Sequence, residues 1–357
     1  MKTYKDVFEK VINLENLFSA WEEFKHGKGS RPDVELFERD LEPNVFGLNG
    51  DLKCGNYKHG LYTGFFIADP KRRHVHKAIV RDRVLHHAVF SILNPIFEPT
   101  FIAASFSCRI GKGSHRGVEA VAGMLKKVSR NNSRPCYVLK CDIRKFFDTI
   151  NHHILLSRLS RKIRDVKMMS LLRELIESYS SEAEFMRERE RERESCGASR
   201  QKGIPIGNLT SQLFANVYMN EFDQFVKHIL KVTYYARYTD DFIIVSTDRM
   251  YLNNLLAPIQ DFFGNTLRLE LHPHKMTVRK YSQGIDFLGY VILPHCRLVR
   301  KRSWKRMLRK FRVKVSGYRQ GKITAESLEQ SLHSYAGALS HADAYDLLEL
   351  LENQRLL

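Results

Sequence analysis

The chain has 357 residues, 43% of them hydrophobic, and lysine plus arginine exceed aspartate plus glutamate by 18. That length supports two or three compact units around a buried core, and the cationic excess favours a partner carrying many phosphates, although a merely basic soluble protein carries the same charge. Six dispersed cysteines (Cys54, Cys108, Cys136, Cys141, Cys196, Cys296) without a C-x-x-C pair exclude a disulfide framework and a zinc site. The charged stretch Met1 to Leu17, and the lack of any run of about 18 uncharged apolar residues, lead to the expectation of neither a signal peptide nor a membrane span. The expectation is a protein of the reducing cytoplasm.

In chain order, Val7, Val11, Leu14, Leu17 and Trp21 recur at helical spacing, a Gly/Lys/Pro-containing break covers Lys25 to Pro32, and the pattern resumes near Val34. From Lys71 to Arg116 the chain is dense in arginine, lysine and histidine, with Val84, Ala88, Phe90 and Leu93 at helical spacing; a basic face over a folded core follows. Cys136 to Cys141 is a strand-like apolar run ending in Asp142. Between Phe185 and Ser195 arginine and glutamate alternate with no apolar stripe, which predicts a solvated insertion within 160–202. Thr210 to His228 predicts a helix with Leu213, Val217 and Phe225 toward the core. Thr233 to Arg237 and Phe242 to Ser246 read as strands joined by Tyr238-Thr239-Asp240-Asp241. After Pro294, Arg300, Lys301, Arg302, Lys305, Arg306, Arg309, Lys310, Arg312 and Lys314 surround Trp304, Met307, Leu308 and Phe311, the spacing of an amphipathic helix with a cationic outer face.

Asp142 at a strand end and Asp240-Asp241 at a hairpin tip can bring three carboxylates together. Phosphoryl transfer needs such a cluster, because charge builds on the attacking and the departing oxygen and two cations roughly 3.5–4 Å apart stabilise both. Hard oxygen ligands select magnesium, with manganese able to substitute. Taken alone, Asp-Asp in a turn is equally explained by turn chemistry. His74, His76, His86, His87, His152 and His153 show no metal-ligand pattern with cysteine and read as structural or RNA-contacting. Gly111-Lys112-Gly113 is not a P-loop, since Phe106 stands where its first glycine is required.

Five ordered blocks then resemble the reverse transcriptases of bacterial retroelements over nearly the whole chain. Asp142 to Phe147 resembles the first palm motif, Gly203-Ile204-Pro205-Ile206-Gly207-Asn208-Leu209-Thr210-Ser211-Gln212 the second, and Tyr238-Thr239-Asp240-Asp241 the Y-x-D-D motif. Lys275, in Leu271 to Thr277, is similar to the family's lysine near the leaving pyrophosphate, and Phe287-Leu288-Gly289-Tyr290 to the primer grip. The resemblance implies an α/β (α+β) right-hand polymerase: N-terminal helices and fingers over 1–135, an antiparallel-sheet palm over 136–295, and a short, basic helical thumb over 296–357. It implies Asp142, Asp240, Asp241 and Lys275 as catalytic, and Asp142, Ile143, Asp240 and Asp241 as holding two magnesium ions.

It further implies Phe147 as the gate that crowds a ribose 2′-hydroxyl, Phe146 being the better candidate for a plain core aromatic. Ile206, Gly207 and Gln212 fall near the nucleotide, with an ordinary helix-start role as the alternative for Gln212. Arg81 and Arg109, in segments similar to the fingers blocks, are triphosphate candidates because a guanidinium binds phosphate oxygens in pairs; a template-backbone or surface role suits either one equally.

Group II intron enzymes usually carry P-Q-G and then S-P in the second motif, whereas this chain reads Pro205-Ile206-Gly207 and Ser211-Gln212. That signature, with the ending Ser334 to Ala342, resembles the enzymes of diversity-generating retroelements. Those copy a template RNA with misincorporation opposite adenines, usually beside a small basic accessory protein. Template RNA, cDNA or primer, dNTPs and such an accessory protein are the implied partners. The alternatives are a defence-associated or abortive-infection reverse transcriptase and, from another class, a silent RNA-binding scaffold with a polymerase fold. A retron enzyme and an intron maturase fit less well, the first for want of further fingers and thumb signatures, the second for want of a region after the thumb.

Overall fold

The structure is a computed structural model in which residues 2–69, 72–179 and 202–356 are described. The Arg-Glu run at Phe185 to Ser195, and Cys196, lie outside the described residues. In chain order the elements are α1 (Val7–Ile12), α2 (Leu14–Lys25), α3 (Pro32–Arg39), α4 (Leu41–Lys53), β1 (Thr63–Ile67), β2 (Arg73–Lys77), α5 (Val80–Phe97), α6 (Ser114–Val128), β3 (Tyr137–Asp142), α7 (Phe146–Thr149), α8 (His152–Ser160) and α9 (Val166–Glu177). There follow α10 (Leu209–Gln224), β4 (Tyr235–Tyr238), β5 (Asp241–Ser246), α11 (Arg249–Asn254), α12 (Leu256–Phe262), β6 (Thr277–Lys280), β7 (Ile285–Phe287), β8 (Tyr290–Ile292), β9 (Arg297–Val299), α13 (Lys301–Arg319), α14 (Ala325–Leu339) and α15 (Tyr345–Leu356). The expected mixture of helices and antiparallel strands is present.

Two compact units form, and the chain passes repeatedly between them. One comprises Met1–Ala103, Ile143–Lys231 and Pro258–Leu271; the other comprises Ala104–Asp142, Val232–Ala257 and His272–Leu357.

In the first unit α5 is the central helix, packed on α2 and α10. Val84, Leu85, Ala88, Val89 and Leu93 are all fully buried, so its apolar residues cover more than one face, whereas Phe90 is only half-buried. The helix predicted through Val7 to Trp21 is two, because Asn13 breaks the run and its side chain accepts from Glu15 N at 2.8 Å, capping α2. α9, which falls within 160–202, is part of this core through Met168, Leu172, Leu175 and Ile176. β1 and β2 pair as an antiparallel hairpin, of which only β2 falls inside the basic segment Lys71 to Arg116.

α10 is buried nearly all round, from Thr210 and Ser211 through Leu213, Phe214, Val217, Tyr218 and Phe222. Its continuation departs from expectation. Phe225 opens a wider π-helical turn, Phe225–Ile229, which shifts the side-chain phase; Phe222 and Val226 take the buried positions, and Phe225 is half-buried, stacked on Phe262 at 4.2 Å.

In the second unit four strands form an antiparallel sheet in the order β4-β5-β3-β6. Both faces of β5 are covered, since Phe242, Ile243, Ile244 and Val245 are all buried. On one face Ile243, Val245, Ala236 and Val138 pack with Val118, Val121 and Leu125 of α6. That cluster runs on into Ile285, Phe287, Tyr290 and Ile292 of a three-stranded sheet, β7-β8-β9. α13, α14 and α15 bury Phe311, Val315, Leu328, Leu332 and Leu351 in a core of their own, leaving the cationic face of α13 outward as its spacing predicts. No helix among the described residues is long and apolar enough to cross a membrane.

Candidate active site

The three acids separated along the chain meet at one end of the four-stranded sheet. β3 and β5 are antiparallel neighbours in which Asp142 stands opposite Asp241, while Tyr238 pairs with Asp241 across a two-residue turn, Thr239-Asp240. This is tighter than the four-residue connection read from sequence, because the ladder runs through Tyr238 and Asp241. Thr239 takes a left-handed conformation, φ 54°, which a two-residue hairpin demands. His272 N donates to Asp142 O at 2.8 Å, bringing the turn Pro273–Lys275 alongside, and Lys275 Nζ then donates to Asp142 Oδ1 at 2.8 Å.

Crowding of like charge shapes the electrostatics. Burial, then the neighbouring Asp241 and Asp142 carboxylates, push the Asp240 carboxyl up to about 6. Burial raises Asp241 as well, opposed first by the Lys140 ammonium. Lys140 is the reverse case: burial lowers it while Asp241 pulls it up, and its Nζ donates to Asp286 O at 2.9 Å.

The donor set suits a hard divalent cation: carboxylate oxygens only, in excess negative charge, at adjacent positions of a rigid sheet. Among the described residues no three His, Cys, Asp or Glu side chains stand close enough together to hold an ion as they are, one Asp142 oxygen being engaged by Lys275. Asp142, Asp240 and Asp241 are the residues that could hold such a cation, which would stabilise charge on oxygens exchanged at phosphorus. Ile143 is buried and can contribute only its backbone carbonyl.

A stability consequence follows for Asp240. A carboxyl whose folded pKa is raised contributes stability that is complete below its unfolded value, 3.8, and is lost as pH rises through about 6. Asp240→Asn should therefore stabilise the cation-free protein at pH 8, by at most about 3 kcal/mol at 1.36 kcal/mol per pKa unit, and should leave it unchanged at pH 3.5. Urea denaturation of both proteins at the two pH values measures this; parallel pH profiles would contradict it.

Behind the acidic turn lies a support that the sequence reading passed over. Arg237, fully buried in β4, donates from Nη1 to Thr239 O at 3.1 Å and from Nη2 to Ser105 Oγ at 3.0 Å. Its backbone exchanges hydrogen bonds with Ala104 and Phe106, so the Ser105-Phe106-Ser107 segment runs as an extra short strand beside β4, and Ser107 Oγ meets Thr239 Oγ1 at 2.6 Å. The available signal was a charged residue within an apolar strand, for Arg237 in Tyr234 to Tyr238 as for Lys140 in Tyr137 to Cys141.

The remaining candidates divide between the units. In the first, Phe146 is buried and Phe147 half-buried, and Phe147 O accepts from Ile204 N at 2.8 Å, tying the first motif to the second. Gly207 has φ 135°, and a Cβ there would stand 3.1 Å from His76 O, so only glycine fits. Ile206 is half-buried and Gln212 exposed. Gly207 and Gln212 line a cavity of about 400 Å³ with Lys28, Arg31, Lys77 and Arg83, where burial and then Arg31 and Arg83 push the Lys28 ammonium down. Arg81 is paired with Asp51 and lies over the Tyr57 ring.

In the second unit Arg109 braces its own loop, donating to Ser105 O at 2.8 Å. Phe287 and Tyr290 are buried core residues, with Tyr290 Oη donating to Ala338 O at 2.8 Å; the turn between them, Leu288-Gly289, with φ 48° and 95°, is half-buried, and Leu288 packs against the same core.

A hairpin that presents two carboxylates opposite a third at the end of the next strand is a geometry able to gather divalent cations for phosphoryl transfer. Residues 69–292 match the family model described as reverse transcriptase (RNA-dependent DNA polymerase). That is more than half of the chain, and the chain belongs to this family. It is 24% identical to protein YkfC of Escherichia coli K12, over 72% of this chain and 71% of that protein. It is 25% identical to the group II intron-encoded protein LtrA of Lactococcus lactis subsp. cremoris, over 70% of this chain but only 50% of LtrA, so it spans about half the length of that relative. Among solved structures, apo telomerase from Candida tropicalis, truncated from its C-terminal domain, aligns with a TM-score of 0.48 at 12% identity, covering 72% of this chain and 60% of that one.

Proposed function

We propose that this chain copies an RNA template into DNA by two-metal phosphoryl transfer, with Asp142, Asp240 and Asp241 as the magnesium ligands and Lys275 facing the departing pyrophosphate. The observation that carries the reading is the cross-strand register of Asp142 with Asp241, beside a turn holding Asp240, in a chain of the reverse transcriptase family. In this reading residues 1–135 act as fingers, 136–295 as palm and 296–357 as thumb. Phe147 excludes ribonucleotides, Arg81 and Arg109 bind the triphosphate, the 287–290 turn holds the primer end, and Gly207 and Gln212 line the nucleotide's surroundings. Primer extension on an RNA template with dNTPs and Mg²⁺ tests it: labelled DNA is expected, and failure to incorporate on any primed RNA would overturn it.

The finer reading is a diversity-generating retroelement enzyme that misincorporates opposite adenines and works with a small basic accessory protein. Ile206 supports it. Where a glutamine would offer a polar contact to the incoming nucleotide, isoleucine offers apolar surface, so hydrogen bonds that reject wrong partners are missing. Ile206→Gln should lower misincorporation opposite template adenines by about tenfold, the weight of roughly one hydrogen bond. Sequencing of cDNA made from an adenine-containing RNA reads this, and an unchanged error spectrum would remove the argument. Similarity to LtrA favours a second reading, a group II intron type of enzyme. A template and variable repeat pair beside the gene, or a surrounding intron, decides between the two.

A further inference from the structure

His86, on α5, is fully buried and turns both ring nitrogens toward the second motif: Nε2 lies 2.9 Å from Asn208 Nδ2, with His59 Nε2 farther off at 3.3 Å, and Nδ1 lies 2.8 Å from Thr210 Oγ1. An amide nitrogen can only donate, so Nε2 accepts; a neutral ring then carries its proton on Nδ1 and donates it to the Thr210 hydroxyl oxygen. Burial, with His59 and His87 nearby, holds the imidazole down to about 3, which keeps this neutral form in place. The second amide hydrogen of Asn208 goes to Tyr62 Oη at 3.1 Å.

Asn208 is the N-cap residue of α10, where an asparagine side chain ordinarily accepts from a backbone N–H of the first turn. Here it makes no such bond. Its amide is instead spent on His86 and Tyr62, and this diversion gives up a stabilising cap for control of the chain just before the helix. That chain is the Ile206-Gly207 turn. On its other side Ile206 O accepts from His76 N at 3.3 Å, and Gly207 leaves no room for a Cβ against His76 O. The turn is therefore held between β2 and His86.

We propose that His86 is a positioning residue for nucleotide selection: acting through Asn208, it fixes the conformation in which Ile206 and Gly207 meet the incoming nucleotide. The proposal rests on the polymerase reading of this motif. Two variants separate positioning from packing. His86→Gln can place its carbonyl oxygen near the position of Nε2 and still accept from Asn208. His86→Asn reaches only the Nδ1 position, so it retains the link to Thr210 and loses the one to Asn208.

The expected result is that His86→Asn raises the KM for dNTPs about tenfold, as loss of one buried hydrogen bond would, with kcat within about twofold and an altered error spectrum, while His86→Gln stays within about threefold of wild type. Hydrogen–deuterium exchange of the free protein gives a readout independent of catalysis: amides of 206–210 should exchange faster in His86→Asn and not in His86→Gln. An unchanged KM in folded His86→Asn, or equal impairment of both variants, would overturn the proposal. Should wild type incorporate no dNTP, the polymerase reading fails by itself, and unchanged protection at 206–210 in His86→Asn would then reject the positioning role separately.

Discussion

Asp240→Ala is expected to reduce DNA synthesis on a primed RNA template by on the order of 10³-fold or more, since a metal-borne stabilisation of several kcal/mol is removed and each 1.36 kcal/mol is a factor of ten. The fold should survive. Asp240 sits in a two-residue turn, makes no ladder pair, and carries a charge that its surroundings oppose. Incorporation of labelled dNTP by wild type and variant in Mg²⁺ gives the rates, and circular dichroism confirms folding. Comparable rates would refute the metal-ligand assignment, because nothing else about Asp240 supports catalysis.

Replacing Arg237 by Met should damage both stability and rate. The guanidinium is fully buried, and its loss leaves Thr239 O and Ser105 Oγ without these donors, at about 1–3 kcal/mol for each buried group left unsatisfied. A destabilisation of roughly 2–5 kcal/mol is expected, readable as a lower urea midpoint. The residual folded enzyme should turn over about 10²-fold more slowly, since a displacement near 1 Å of a reacting group has that cost. Arg237→Lys should recover part of the stability and little of the rate, because an ammonium cannot span both acceptors in the fixed fork of a guanidinium. If Arg237→Met retained wild-type kcat, the Ser105 to Ser107 support would have no bearing on the acidic turn.

Some of this site was legible because its chemistry is local. Asp142 ends an apolar run and Asp240-Asp241 sits between two β-rich runs, so the strand ends could be placed before any pairing was known. That Phe146 is the core member of the Phe146-Phe147 pair was similarly readable. The helix of α13 followed from spacing, as did most of α10.

What was not legible depends on partners distant in the chain. Arg237 and Lys140 are charges whose burial becomes intelligible only with Ser105 and Asp286 beside them. The β1–β2 hairpin escapes the sequence reading because β1, Thr63 to Ile67, is exposed at every position, leaving no alternation to detect, while β2 opens the basic segment. Phe225 was placed in the core by counting 3.6 residues per turn through a stretch that winds more widely. Phe287 and Tyr290 carry a motif resemblance that says nothing of their burial; their side chains belong to the core, and Leu288 between them packs against it as well.

The interleaved path of the chain has a bearing on its biosynthesis. β3 is flanked by β5 and β6, so the sheet bearing Asp142 is incomplete until Lys280 has left the ribosome, more than 130 residues after β3 itself. Both edges of β3 lack partners until β5 emerges at Ser246, and the β6 edge stays open until Lys280, the condition in which strands seek wrong partners. Translation pauses or chaperone capture between residues 142 and 280 would thus govern the yield of folded protein, and a fragment ending at 135 would lack every strand of that sheet.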